Sequence, residues 1–320
     1  MTALLALALL AFAPANVTFA QSDFPNRPVR IVVPFSAGGP TDVNMRIVGQ
    51  KLSEIWGQGV VIENRPGANT GIGAQMVAKS APDGYTLLAA MDTTLVMNPA
   101  TGAAMNYDPF KDFAAITLTA KNTSLLTVRA SDGPKTIGEL IARGKASATK
   151  LNYGAGITIT RLAGATFAKA AGIEVQLIPY KGSAEVVQGL LTGSVDFIVD
   201  GIAPSLPLIN SGQFRPLAKL NNRALPTLPE LKPLSEASGL AIDEMSSWIG
   251  LVAPAGTPPA VVQKIHADVV RAMADAAVAD RLEKAGILAV TTTPAEFEKY
   301  FRDEAERWAK VYKESGIKLD

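Results

Sequence analysis

The chain has 320 residues, no cysteine, one histidine and a formal net charge of +1. That length suggests two domains, each able to bury a core. The basic residues are spread along the chain, so nothing forms an electrostatic footprint for nucleic acid, and the missing cysteines exclude disulfides, thiol catalysis, cysteine-based zinc sites and a lipidated N-terminal cysteine.

Residues 1–20, "MTALLALALLAFAPANVTFA", carry no charge and end in Thr18-Phe19-Ala20. They predict an export signal cleaved near Ala20, although the usual basic opening is missing. No later stretch is long and apolar enough to cross a bilayer, so the expected location is a bacterial periplasm. "VRIVV" (29–33) predicts a strand stopped by Pro34, and Val43, Ile47, Val48, Leu52 and Ile55 repeat at helical spacing until Gly57. Strand and helix recur in "GVVIEN" (59–64), "IGAQMVAKS" (72–80) and "YTLLAA" (85–90). A second set follows: "SLLTVRA" (124–130), a helix over 136–146, "KLNYG" (150–154), a helix over 160–171, "EVQLIPY" (174–180), a helix over 183–192 and "VDFIVDG" (195–201). The alternation predicts an α/β fold of two mainly parallel sheets flanked by helices. After the Pro-rich stretch 225–234, a strand leads through Pro-Ala-Gly-Thr-Pro-Pro into a long helix, and a capping box at Thr293 opens the last one.

Catalytic machinery is sparse. His266 lies between Val262 and Val269 at helical spacing, which predicts a helix position at the edge of the core. No Gly-x-Ser-x-Gly elbow follows a strand, and no cluster of donors suits a metal. No phosphate loop is complete either, so no cofactor is expected. What remains is the physics such loops share, since a helix N-terminus has unpaired N–H groups and partial positive charge and holds a small anion without lysine. Gly38 and Gly39 let a ligand approach the backbone, and Pro40 suits a first helical position. The corner fits a carboxylate, or equally an ordinary tight βα turn. A second corner, Tyr153-Gly154-Ala155-Gly156, precedes a helix carrying Arg161, either a bidentate carboxylate partner or a solvated helix charge. Asp200 ends a strand, where it faces a cleft or caps the next helix, and Thr93 and Thr94 follow another strand at the sheet edge where ligands of open α/β sheets bind.

The blocks "FPNRPVRIVVPFSAGGPTD", "VVIENRPGANTGIGA", "APDGYTLL", "IPYKGSAEVVQGLLTGSVDF", "SSWIGLVAPAGTP" and "RWAKVYKESGIK" stand in the order and spacing of Bug-type receptors. The chain thus resembles the extracytoplasmic solute-binding proteins of tripartite tricarboxylate transporters over nearly its whole mature length. The resemblance implies a two-lobed Venus-flytrap fold with lobe 1 from 24–123 and 247–320 and lobe 2 from 124–246. It implies a small carboxylate ligand held between Phe35-Ser36-Ala37-Gly38-Gly39, backed by Thr41 and Asp42, and Gly154-Ala155-Gly156 with the threonines that follow, Thr158 first; Arg161 as a second anchor favours a dicarboxylate or aromatic dicarboxylate. Asp200 matches a position facing the distal end of the ligand in amino-acid-binding members. The implied partner is the transporter's membrane subunits, and the implied receptor is a monomer. Two departures concern ligand choice: Arg161 stands where members often have histidine, and Gly201 where Asn is frequent. Two other readings stay open: a periplasmic α/β enzyme acting on an ester or amide, and a receptor presenting ligand to a sensor kinase.

Overall fold

A computed structural model describes residues 24–315; the expected export signal and the last residues of the closing block lie outside the described residues. The first βα steps form where expected. β1 (Val29–Val33) stops at Pro34, and α1 (Pro40–Trp56) takes proline at its start and ends at Gly57 in the left-handed conformation. β2 (Val60–Asn64), α2 (Gly71–Ala78) and β3 (Thr86–Met91) follow. A π-helical turn, Thr93–Met97, then runs into α3 (Asn98–Ala100).

β4 (Phe113–Asn122) continues into β5 (Ser124–Arg129) with Thr123 alone between them, and there the chain passes from one sheet to the other. The second sheet is assembled from α4 (Ile137–Ala146), β6 (Leu151–Ala155), α5 (Thr158–Ala171), β7 (Val175–Pro179), α6 (Ser183–Thr192), β8 (Phe197–Gly201), α7 (Ile202–Asn210) and β9 (Phe214–Lys219). The Pro-rich connection holds α8 (Leu234–Ser238) and returns the chain as β10 (Ser247–Pro254). It ends with α9 (Pro259–Met273), α10 (Ala276–Lys284), β11 (Ile287–Ala289) and α11 (Pro294–Ser315).

The strand orders are β11-β4-β10-β3-β1-β2 and β7-β6-β8-β5-β9. Most strands of each sheet run one way, as expected, and each sheet also takes in antiparallel members. β2-β1-β3 and β7-β6-β8 are parallel, but β10 runs antiparallel to β3 and β4, β11 to β4, and β5 to β8 and β9. β10 is the returning strand and inserts between β3 and β4, a pairing that strand periodicity does not encode.

Alternation along β1 sends Ile31 and Val33 to the core under α1 and α9, and Val32 to the opposite core with Phe297, Phe301 and Trp308 of α11. That second core continues into Tyr153 and Phe197 of the other sheet and Phe167 of α5, so apolar packing spans both halves of the molecule. The predicted capping box of α11 forms: the Glu296 N–H donates to Thr293 Oγ1 at 3.2 Å, and the Thr293 N–H to Glu296 Oε2 at 2.8 Å. His266, half-buried on α9, sits 3.0 Å from the Thr292 carbonyl through Nε2, lines neither cavity described below, and ties α9 to the segment before α11.

Candidate functional site

The corner between β1 and α1 is built from within. Gly38 has φ +83°, a region that favours glycine. Its N–H is already engaged, donating to Asp42 Oδ2 at 3.0 Å. Asp42 also accepts from Arg46 Nε at 2.9 Å and Asn64 Nδ2 at 3.0 Å, and Asn64 donates as well to the Phe35 carbonyl. Burial pushes the Asp42 carboxyl up, but the bonds from Arg46, Gly38 and Asn64 outweigh it and hold the group below the usual carboxylate range. Asp42 is therefore a staple for the loop rather than a ligand contact. Of the expected run 35–39, Ala37 and Gly38 face solvent and line neither cavity described below. What the corner offers is Phe35, Ser36, Gly39 and the first turn of α1, including Thr41, whose hydroxyl donates to Met91 Sδ at 2.9 Å.

At the second corner Gly154 and Ala155 are buried strand residues that line neither cavity, and Gly156, itself buried, is the one residue of the three that lines the outer cavity. Gly156 packs so closely on Gly182 that a Cβ would stand 3.3 Å from that backbone. Thr158 is buried and its hydroxyl accepts from Asn69 Nδ2 at 2.9 Å, a bond that ties the α5 corner to the loop before α2. Its side chain is thus spent on a link between the two halves of the molecule.

Two adjoining cavities lie between these corners and share Phe35, Ser36 and Ile157 as a common wall. The outer one, 510 Å³, falls in the range of small-molecule sites. The inner one, 30 Å³, has room for a water or two, or for the end of a ligand. Four helix N-termini meet at the inner cavity: Pro40 and Thr41 open α1, Ile157 caps α5, Ser183 opens α6 and Gly201 caps α7. Their partial positive charges add there without any cationic side chain.

Arg161 lines the outer cavity and is not the solvated helix charge of the simpler reading. Nη2 donates to the Gly156 and Tyr180 carbonyls at 3.3 and 3.2 Å, and Nε is buried without a partner. Burial lowers its pKa. No carboxylate pairs with it among the described residues, and none lines the outer cavity, where Lys181 adds a second cation. Asp200 stands in the wall of the inner cavity, 4% exposed, with Oδ1 accepting from Ser183 Oγ at 2.9 Å and Oδ2 without a donor. Burial pushes its carboxyl up to about 7, against the pull of the Ser183 hydroxyl and the Gly201 N–H.

Thr93 and Thr94 are not at the cleft. Both are fully buried in the π-helical turn, where the Thr93 hydroxyl donates to Asp92 Oδ1 at 3.1 Å and the Thr94 carbonyl accepts from Tyr107. The end of β3 itself stays at the cleft, where Met91 lines the inner cavity, but the chain beyond it coils into the π-helical turn that packs against α11. Asp92 beside them is wholly buried; burial raises its carboxyl to about 7, partly offset by the Thr93 hydroxyl and the Thr93 and Trp248 N–H groups. Since the unfolded chain holds that proton less tightly, the stability it contributes below about pH 4 is lost as pH rises through 7, by roughly 4 kcal/mol at the upper end. Asp92→Asn is expected to flatten this decline, measured by urea denaturation at pH 5 and pH 8; parallel declines in variant and wild type would refute the assignment.

The residue reading passed over the loop 66–70 and the pair Gly182-Ser183. Gly67, Ala68, Asn69 and Thr70 are four consecutive residues at positive φ, with Asn69 held by Asn98 and Thr158. Such strain gathers at functional sites. The density of Gly, Pro and Asn in "RPGANTG" is the one sequence signal that points to it. Ser124 and Ser247, at the starts of β5 and β10, complete the inner wall and carry no such signal.

Residues 44–317 match the family described as "Tripartite tricarboxylate transporter family receptor". The protein BugT of Bordetella pertussis is 31% identical over 324 residues, covering 100% of this chain and 99% of its own length. Among solved structures, an R. palustris protein with adipate is 33% identical with a TM-score of 0.88, covering 92% of this chain and 99% of its own. MatC from Rhodopseudomonas palustris, with bound malate, is 30% identical with a TM-score of 0.83, covering 90% and 99%.

Proposed function

This chain belongs to the tripartite tricarboxylate transporter receptors, the Bug-type solute-binding proteins, and from that membership we propose that it captures a small organic carboxylate between its lobes and hands it to the membrane subunits of such a transporter. The observation that carries the ligand class is Arg161: a half-buried guanidinium whose Nε is buried without a partner and which pairs with no carboxylate among the described residues, lining a cavity of 510 Å³. A buried cation is stable when paired, and the missing anion is the ligand. The Ser36 hydroxyl and the helix N-termini around the inner cavity supply neutral donors for the same purpose.

On this reading the lobes are 24–123 with 247–320, and 124–246, and they hinge where the chain crosses at Thr123 and ahead of Ser247. Ligand has to favour the closed form over the open one, and contacts from both lobes to one molecule supply that difference. The receptor acts as a monomer, after export and cleavage near Ala20, and performs no turnover. Its relatives among solved structures include proteins described as periplasmic.

A thermal-shift and calorimetric screen of mono- and dicarboxylates tests the reading. A true ligand at 100 times its dissociation constant adds about 2.7 kcal/mol of stability. A panel that leaves the melting curve unmoved throughout would reject carboxylate capture.

A further inference from the structure

One group in the site has no task in simple anion capture. Asp200 is 4% exposed, its Oδ2 has no donor, and it lines the inner cavity together with the hydroxyl-bearing residues Ser124, Ser183, Ser247 and Thr41. Building on the receptor reading, we propose that Asp200 carries a proton in the loaded protein and donates it as a hydrogen bond to one carboxylate of a dicarboxylate ligand, so that each dianion is captured together with one proton.

The charges around the site support this. The outer cavity holds two cations, Arg161 and Lys181, and no carboxylate, and four helix N-termini point their positive ends at the inner cavity. That field favours a ligand with negative charge at both ends and opposes an ammonium group. A second carboxylate entering beside an ionised Asp200 meets a like charge in a desolvated place, and two carboxylates sharing such a site hold one proton between them. The unpartnered Oδ2 is where that proton sits, with the ligand oxygen as acceptor. The proton is taken from solvent, and no covalent bond is made or broken.

No other ionisable group from the packed elements competes for it. On α1, Asp42 and Arg46 pair with each other; on α6, Glu185 accepts from the Lys181 N–H; on α5, Arg161 belongs to the outer cavity. On β5, Arg129 pairs with Asp132, while β6, α7 and β10 have no charged residue. Burial, net of the pull of the Ser183 hydroxyl and the Gly201 N–H, already raises the carboxyl to about 7 before a ligand arrives.

The test is calorimetry with the tightest-binding of succinate, malate, glutarate and adipate, in buffers of different ionisation enthalpy, from pH 6 to 8.5, with 6-aminohexanoate as the comparison ligand. Uptake approaching one proton per ligand is expected near pH 8, with affinity falling about tenfold per pH unit above about pH 7. Asp200→Asn is expected to bind without proton uptake and with an affinity that does not change with pH. In the ligand-free protein at pH 6, the infrared absorption of protonated carboxylic acids should lose one component in D200N while that of the buried Asp92 stays, a readout independent of capture. Dicarboxylate binding with no proton uptake, preference for 6-aminohexanoate, or capture of monocarboxylates alone overturns the proposal and leaves the receptor reading standing. Failure of every carboxylate to bind the wild type removes both.

Discussion

Arg161→Ala is expected to weaken dicarboxylate capture at least 100-fold, about 2.7 kcal/mol or more. The guanidinium is the one cation of the site held in place by protein carbonyls, those of Gly156 and Tyr180, so its remaining donors are already oriented when a ligand arrives. Removing it leaves a buried ligand carboxylate without its charge-assisted partner. Arg161→Lys keeps the charge but not the planar fork, and should fall between the two, closer to alanine. Calorimetry gives the affinities, and melting of the ligand-free variants separates capture from folding. An Arg161→Ala protein within threefold of wild-type affinity would show that the guanidinium serves only to tie Gly156 to Tyr180.

Gly182→Val should be nearly as damaging, for a steric reason. Gly182 has φ 178°, extended backbone open to any residue, so a side chain there costs nothing in conformation. Space is the constraint: a Cβ on Gly182 would stand 3.4 Å from the Ser36 side chain across the cleft, and the added methyls of valine have to go further. Gly182 lies on the α6 side and Ser36 on the α1 side, so the wedge opposes closure while leaving the core of each half untouched. A loss of about 100-fold in affinity is expected, with ligand-free stability within about 1 kcal/mol of wild type. Gly182→Ala, reaching only ordinary contact distance, should lose less than tenfold. Small-angle scattering provides the structural readout, since the valine variant should stay extended under saturating ligand. A valine variant that compacts and binds normally would mean that these two loops need not meet.

Much of the frame was readable before any coordinates. β-branched runs alternating with helical periodicity, Pro40 at the start of α1, Gly57 at its end and the capping box at Thr293 are local rules, each decided by neighbours a few residues away. The two glycine corners and Arg161 were visible for the same reason, because a strand-to-helix turn and an arginine in the first turns of α5 are properties of short segments. The ordered blocks added the family, and with it the two-lobed architecture.

Other features depended on which segments meet. Asp42 looked like part of a ligand loop and turned inward because Asn64, from the neighbouring strand, and Arg46 converge on it. Thr93 and Thr94 follow a strand whose end does reach the cleft, but they turn away into a π-helical turn that packs against α11, an element from the far end of the chain. The loop 66–70 and Gly182-Ser183 became parts of the site only when the corners of the two sheets were set opposite one another. Sequence alone determined the elements, their caps and the residue types available for gripping an acid, since these follow from backbone sterics and hydrophobic periodicity within one segment. Tertiary structure alone decided the strand order, the direction of β10 and which polar groups stay unpaired at the cleft. Hydrogen-bond satisfaction and burial are set by partners distant in the chain, and no single segment contains them.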